Sequence, residues 1–343
     1  MGQDTRCLVD IGSVKTSTRI LGQDIEWPVF CSPTGASRLF HSDGELPVAR
    51  AAARSGTIYS LSTGSTYSLE DVAAASVGPK MFQLYIFKDR DVMRDLIERC
   101  KRSGYSALCL TVDVAGGIGK RERDLRSGLF NQPHWSLSSL TSFAGHPAWV
   151  LKRLGRTSAI SIGSFTNRGA SRRSASQSNY ARHQLDPSVT WKDVREITDL
   201  WGGPFALKGV MSADDARRAA DAGVNAVIVS NHGGRQLDGA AASIEALPEI
   251  ARAVGGRIEV ILDGGIRRGV HVLKALARGA NACSIGRPYL YGLAAGGEAG
   301  VVKALDVLRT ELVLAMKLCG CANLASVDES MIGKSYQTTA FPA

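Results

Sequence analysis

Residues 205–230 read FALKGVMSADDARRAADAGVNAVIVS. Two short apolar runs, Phe205–Lys208 and Ala226–Ser230, flank a helix pattern whose start and stop are both marked. Ser212 is a good N-cap, and Asp214 and Asp215 follow in the first turn, where the helix dipole favours negative charge. The run Ala213–Ala222 then stops at Gly223, a residue suited to the left-handed C-cap. Strand, helix and strand in so short a span is the signature of a parallel α/β fold.

The same alternation extends outward in both directions. Strand candidates precede this unit at Pro28–Ser32, Thr57–Leu61, Lys80–Leu84 and Ala107–Val112, and follow it at Val260–Leu262 and Ala282–Ile285. Helix patterns such as Glu45–Ser55, Arg90–Ser103 and Val270–Arg278 lie between them. Eight strands with intervening helices favour a closed (β/α)8 TIM barrel over an open doubly wound sheet, and no linker marks a second domain in residues 1–343. About ninety residues separate the fourth strand from the fifth, far more than a helix and its loops require.

That excursion also carries the charge. The formal net charge is +9, yet between Leu125 and Leu185 there is no Asp or Glu, while Arg126, Lys152, Arg153, Arg156, Arg168, Arg172, Arg173 and Arg182 all fall there. The rest of the chain is nearly neutral. A cation excess confined to one Ser- and Gly-rich segment sets nucleic acid aside as a partner. Two readings remain: a solvated loop, or a loop in weak contact with anionic lipid head groups. No apolar run reaches the roughly 20 residues needed to span a bilayer. Met1 to Asp10 does not read as a secretory signal. The seven cysteines are scattered without zinc-ligand or thioredoxin spacing, which suits reduced thiols, a cytoplasmic location and no metal site. The lipid reading would put the protein at the inner face of the membrane.

Active sites of such barrels sit at the C-terminal ends of the strands. There this sequence places Pro33-Thr34-Gly35, Ser62-Thr63-Gly64, Gln83 with Tyr85, Thr111 with Asp113, Lys208, Ser230-Asn231-His232, Asp263-Gly264-Gly265 and Gly286-Arg287. One polar strand end is an ordinary cap or turn, but eight together are not. The seventh and eighth combine glycines with Arg267 and Arg287, and exposed backbone N–H groups beside a guanidinium form a phosphate cradle. At the sixth end, Ser230 to Asp238 puts the His232 imidazole and the Arg235 guanidinium in one glycine-rich turn. An imidazole takes a proton near neutral pH, and arginine grips a carboxylate in two-pronged fashion. Arg121 is a second carboxylate candidate, against the plainer reading of a surface cation.

The runs Val229-Ser230-Asn231-His232-Gly233-Gly234-Arg235-Gln236-Leu237-Asp238 and Leu262-Asp263-Gly264-Gly265-Ile266-Arg267-Arg268-Gly269 resemble the FMN-dependent L-2-hydroxy-acid oxidase and dehydrogenase family. Phe82-Gln83-Leu84-Tyr85, Leu110-Thr111-Val112-Asp113 and Leu207-Lys208-Gly209-Val210 extend the likeness in the family's order, from about residue 6 to about residue 333. The resemblance implies oxidation of a small 2-hydroxy acid to the 2-oxo acid. It makes His232 the catalytic base, Arg121 and Arg235 the grip on the substrate carboxylate, and Tyr85 a further hydrogen bond. Lys208 would sit by the flavin N1 and C2 carbonyl. Pro33, Thr34 and Gly35 would line the N5 edge, and Ser62, Gln83, Thr111 and Ser230 would bond the ring or ribityl chain. Asp263, Gly264, Gly265, Arg267, Gly286 and Arg287 would take the ribityl and phosphate end. The resemblance further implies a homo-oligomer, a tetramer in many relatives, with oxygen, quinone or cytochrome as electron acceptor.

Two departures from the family pattern shape the expectation. Relatives carry a further N-terminal segment with a tyrosine for the substrate carboxylate, and Met1 to Trp27 offer no Tyr. The expectation is therefore a thinly covered barrel floor and slow turnover, with a flavin-binding barrel of little turnover as the alternative function. Gly35 and Gly64 stand where glycolate oxidase-like members carry larger side chains, which points to a larger, mandelate-like substrate over a lactate-like one.

Overall fold

The computed structural model describes residues 2, 4–114, 140–141, 144–147, 149–150, 163 and 184–333. Arg121 and nearly all of the basic stretch between Leu125 and Leu185 lie outside the described residues. All eight expected strands form, within one or two residues at each end. They are β3 (Val29–Thr34), β4 (Tyr59–Ser62), β5 (Lys80–Leu84), β6 (Ala107–Thr111), β7 (Phe205–Val210), β8 (Ala226–Val229), β9 (Glu259–Asp263) and β10 (Ala282–Ile285). Each pairs in parallel with the next, and β10 pairs with β3, so the sheet closes on itself. The helix between β7 and β8 runs Ala213–Asp221; the Ser212 side chain accepts from the Asp215 N–H, and Gly223 takes a φ of 82°.

The N-terminal end of the barrel is closed by a hairpin that the strand pattern does not reveal, β1 (Thr18–Ile20) with β2 (Gln23–Ile25). Its Ile20, Leu21 and Ile25 pack into one buried apolar cluster with Phe30, Ile58, Met81, Ala107, Cys109, Ala206, Ala226, Ile228, Ile261 and Ala282. Those partners come from all eight strands or their first residues, so the hairpin acts as a plug. The Leu21 N–H donates to the Glu259 carboxylate, at 2.9 Å to Oε2. The floor is thus covered, against the expectation of a thin one, because three apolar side chains from an eight-residue hairpin suffice to seal a barrel of this size.

Side chains two residues apart on a strand share a face. Stepping two residues along each strand from the floor turns apolar into polar. Phe30 gives way to Ser32, Met81 to Gln83 and Cys109 to Thr111. Likewise Ala206 yields to Lys208, Ile228 to Ser230, Ile261 to Asp263 and Ala282 to Ser284. All seven polar members of this second layer are nearly inaccessible. Outward-facing residues such as Leu108, Leu207, Val227 and Leu262 pack against the surrounding helices.

Ile20 is fully buried in the plug. Replacing Ile20 by Ala should lower the unfolding free energy by about 2–5 kcal/mol, the range for large-to-small changes in a close-packed core. Urea titration followed by circular dichroism checks this; an unchanged midpoint would mean that the hairpin contributes nothing to closure.

Candidate functional site

The centre of the polar layer is the Asp263 carboxylate. Its Oδ1 accepts from Ser32 Oγ at 2.5 Å and from Ser284 Oγ at 2.7 Å. Its Oδ2 accepts from Ser230 Oγ at 2.6 Å and lies 3.3 Å from Lys208 Nζ. Burial favours the neutral acid, but the Lys208 charge and three serine hydroxyls outweigh it and bring Asp263 down to about 2. Lys208 is pulled the other way. Burial would lower it, yet Asp263 and then Asp113 raise it above the usual lysine range, so it is a fixed cation.

Next to this pair stands His232, in the left-handed conformation at φ 57°. A non-glycine residue there is strained, and it is held by its neighbours: its N–H donates to Ser230 Oγ at 3.1 Å, and Gly233 and Gly234 continue the turn at φ 70° and 74°. The imidazole Nδ1 lies 3.0 Å from Asp113 Oδ1 and 3.2 Å from Oδ2. A carboxylate only accepts, so Nδ1 carries the proton and Nε2 is left with its lone pair. Asp113 stood in the sequence as a polar strand end and received no role there. The available signal was a His at one strand end needing a partner to fix its tautomer, with a carboxylate two residues past Thr111 at another.

Asp113 reaches His232 because the neighbouring strand gives way. The ladder between β7 and β8 slips between Lys208 and Val210, and Gly209 sits at φ 104°. A Cβ on Gly209 would fall 2.7 Å from Asp113 Cβ and 2.8 Å from its Cγ. Tyr85 belongs to the same group. Burial pushes its phenol up to about 12, and the charges it feels are those of Lys208, Asp113 and Arg235. The structure therefore brings together four expected residues, Tyr85, Lys208, His232 and Arg235, and adds Asp113. It gives no position for Arg121.

Around them are polar groups without a protein partner among the described residues. Gln83 Oε1 accepts from Ser62 Oγ at 3.1 Å, while Gln83 Nε2 and Thr111 Oγ1 are buried and unpaired. An unpaired buried polar atom costs about 1–3 kcal/mol, so such atoms mark where a ligand completes the bonding. At the rim, the Gly35 and Gly64 backbones approach so closely that a Cβ on Gly35 would lie 3.2 Å from Gly64 O. Thr34 Oγ1 lies 2.6 Å from the buried Tyr289 hydroxyl, which also donates to Ser32 O. Next to Thr34, whose Cγ2 would lie 3.5 Å from a Cβ on Gly286, Gly264 and Gly265 adopt φ 95° and 76°, and Gly286 caps a helix that begins at Arg287 and breaks at Gly296 and Gly297. Burial and then the Arg287 charge lower Arg267, so two guanidinium groups share one small region beside a helix N-terminus. That arrangement suits a phosphate.

The model of the FMN-dependent dehydrogenase family matches residues 4–334. The chain belongs to that family. An L-lactate oxidase of Nostoc sp. is 46% identical over 333 residues, spanning 95% of this chain and 85% of the relative. The glycolate oxidase of Spinacia oleracea is 40% identical over 331 residues, with 96% and 84% covered. Among solved structures, a monotopic membrane (S)-mandelate dehydrogenase superposes with a TM-score of 0.91 at 34% identity, covering 96% of this chain and 87% of that one. The family is FMN-dependent, and the site fits that cofactor: unpaired amide and hydroxyl groups for a polar ring, a fixed cation beneath them, and a cradle for one phosphate at the rim.

Asp263→Asn would leave the buried Lys208 without its counter-charge. Unfolding free energy near pH 7 should fall by about 3–5 kcal/mol. Because the folded carboxyl is held near 2 while an unfolded Asp titrates near 3.9, the wild-type advantage is fully present above about pH 4 and fades as pH falls towards 2. Denaturant midpoints of both proteins at pH 7 and pH 2.5 check this; an equal gap at both would show that the charge pair is not the source.

Proposed function

We propose that this chain oxidises a 2-hydroxy acid to the 2-oxo acid, with FMN as its redox cofactor and His232 as base. The observation that carries the reading is the His232–Asp113 contact at 3.0 Å, set beside Arg235, Tyr85 and the Lys208 cation. FMN, when bound, supplies the acceptor for the two electrons. The protein's part is to hold the acid and to move a proton. The Arg235 guanidinium takes the substrate carboxylate, joined by Arg121, and the Tyr85 hydroxyl, kept protonated by burial, donates to an oxygen of the substrate. His232 Nε2 takes the hydroxyl proton, and Asp113 stabilises the imidazolium that results. For the cofactor, Pro33, Thr34 and Gly35 line one edge, and Ser62, Gln83, Thr111 and Ser230 offer ring and ribityl contacts. Gly264, Gly265, Arg267, Gly286 and Arg287 hold the phosphate. Asp263, with both oxygens already engaged by Lys208 and serines, orients Lys208 and Ser230 towards the ring.

The substrate reading favours a side chain larger than a methyl group. Gly64 has ordinary backbone geometry and only van der Waals neighbours at its Cβ position, 3.6 Å and beyond, so a methyl group would fit there and its absence leaves room. Anaerobic titration with lactate, glycolate and mandelate, read as loss of the flavin absorbance, tests both parts. Mandelate should bleach the flavin at the lowest concentration. His232→Ala and Asp113→Asn should retain FMN yet slow bleaching by about 10²–10⁴-fold. Bleaching of His232→Ala at the wild-type rate would place the base elsewhere.

The excursion supports weak attachment to anionic membranes. Its eight cations have no acidic partner in the segment. Trp149, within it, donates to Leu39 O at 3.3 Å, so exposed Leu39, Phe40 and Trp149 form apolar surface beside one another. Among the described residues no helix is long and apolar enough to cross a membrane. Co-sedimentation with phosphatidylserine vesicles should fall as salt rises. Deleting residues 158–182 without loss of sedimentation would end the idea.

A further inference from the structure

The phosphate side of the site contains a histidine that the proposed reaction does not use. The segment from Asp263 to Arg268 makes two left-handed glycine turns and then starts the helix Gly269–Ala277. Arg268 is the N-cap of that helix, and its side chain makes no capping bond. His271, in the first turn, reaches back instead. Its Nδ1 accepts from the Arg267 backbone N–H at 3.2 Å. This side chain thus holds the backbone of Arg267, one of the residues assigned to the phosphate.

We infer that His271 is a positioning residue for the phosphate-binding segment, acting only as a neutral imidazole, so that FMN is held less tightly when His271 takes a proton. The reason is the direction of the bond. Nδ1 accepts from Arg267 N–H through its lone pair, and protonation turns that acceptor into a donor facing another donor. The segment cannot easily settle elsewhere, because its neighbour on the other side is fixed: Glu311, in the helix that follows the break at Gly296 and Gly297, accepts from Gly269 N–H at 2.8 Å and from Arg268 Nε at 2.6 Å. The groups facing His271 are Lys274 on its own helix, Arg268 on the turn and Glu311 across from it. Burial, Lys274 and Arg268 favour the neutral ring, and Glu311 and the Gly265 backbone oppose them, with a net shift below the ordinary histidine value. The brace is therefore complete at neutral pH and is lost on acidification.

The inference rests on FMN as the cofactor, and its test reads cofactor release, which does not depend on the substrate. Holoenzyme is diluted into buffers from pH 7.5 to pH 5, and the return of free-flavin fluorescence gives the release rate and the residual binding. His271→Leu removes the brace and should release FMN about three- to tenfold faster at pH 7.5, the usual effect of losing one capping-type bond. His271→Gln keeps an acceptor oxygen and cannot titrate, so it should match wild type at pH 7.5. At pH 5 the wild type should release FMN about three- to tenfold faster than His271→Gln and approach His271→Leu. Comparing the proteins at each pH cancels the ionisation of the FMN phosphate, which is common to all three. The proposal is overturned if the wild type and His271→Gln keep a constant ratio across the range. It also fails if acidification makes the wild type hold FMN more tightly than His271→Gln, which is what a simple charge attraction to phosphate would give.

Discussion

A carboxylate buried at the centre of a barrel, with a lysine and three serine hydroxyls turned onto it, ties five strands at one level. Asp263 stands on β9, Ser32 on β3, Ser284 on β10 and Lys208 on β7, while Ser230 directly follows β8. Desolvation makes either charge alone expensive, so the pair is either complete or strongly destabilising. Completeness has a functional consequence. A lysine that is always charged and held in place by its partner gives the site a fixed, ordered Nζ donor.

The same level divides the barrel into two chemistries. Below it, the hairpin plug and the small or apolar inward residues of the strands make an apolar floor. Above it, Gln83 Nε2 and Thr111 Oγ1 have no partner among the described residues. The stability of the fold is drawn from the floor and the helix layer, which leaves the upper layer free to carry unsatisfied groups for a ligand.

Backbone geometry then brings His232 and Asp113 together. Gly209 removes a side chain that would otherwise collide with Asp113, and the strained turn at His232 points the imidazole at that carboxylate. Local strain at such a position is tolerated because the Ser230 hydroxyl, itself fixed by Asp263, accepts from the His232 N–H. His232 is thus connected to the buried ion pair through a single serine.

By itself the sequence determined the eight strands and their order, since parallel buried strands read as apolar runs and the helix between β7 and β8 carries its own cap signals at Ser212 and Gly223. It also determined the strand-end residues, because the barrel rule converts a position after an apolar run into a place at the site, and the motif around His232 indicated the family. The tertiary structure alone decided three things. Hairpin β1–β2 is two strands of three residues each, too short for a periodic pattern, and its plugging role exists only once eight strands surround it. The His232–Asp113 contact joins residues 119 positions apart, and no local pattern assigns one carboxylate among many to a histidine. The inward direction of Asp263 came from packing as well: the sequence grouped it with the phosphate glycines that follow it, while alternation of side chains along β9 turns it into the barrel, where Lys208 is the charge that lets it stay ionised.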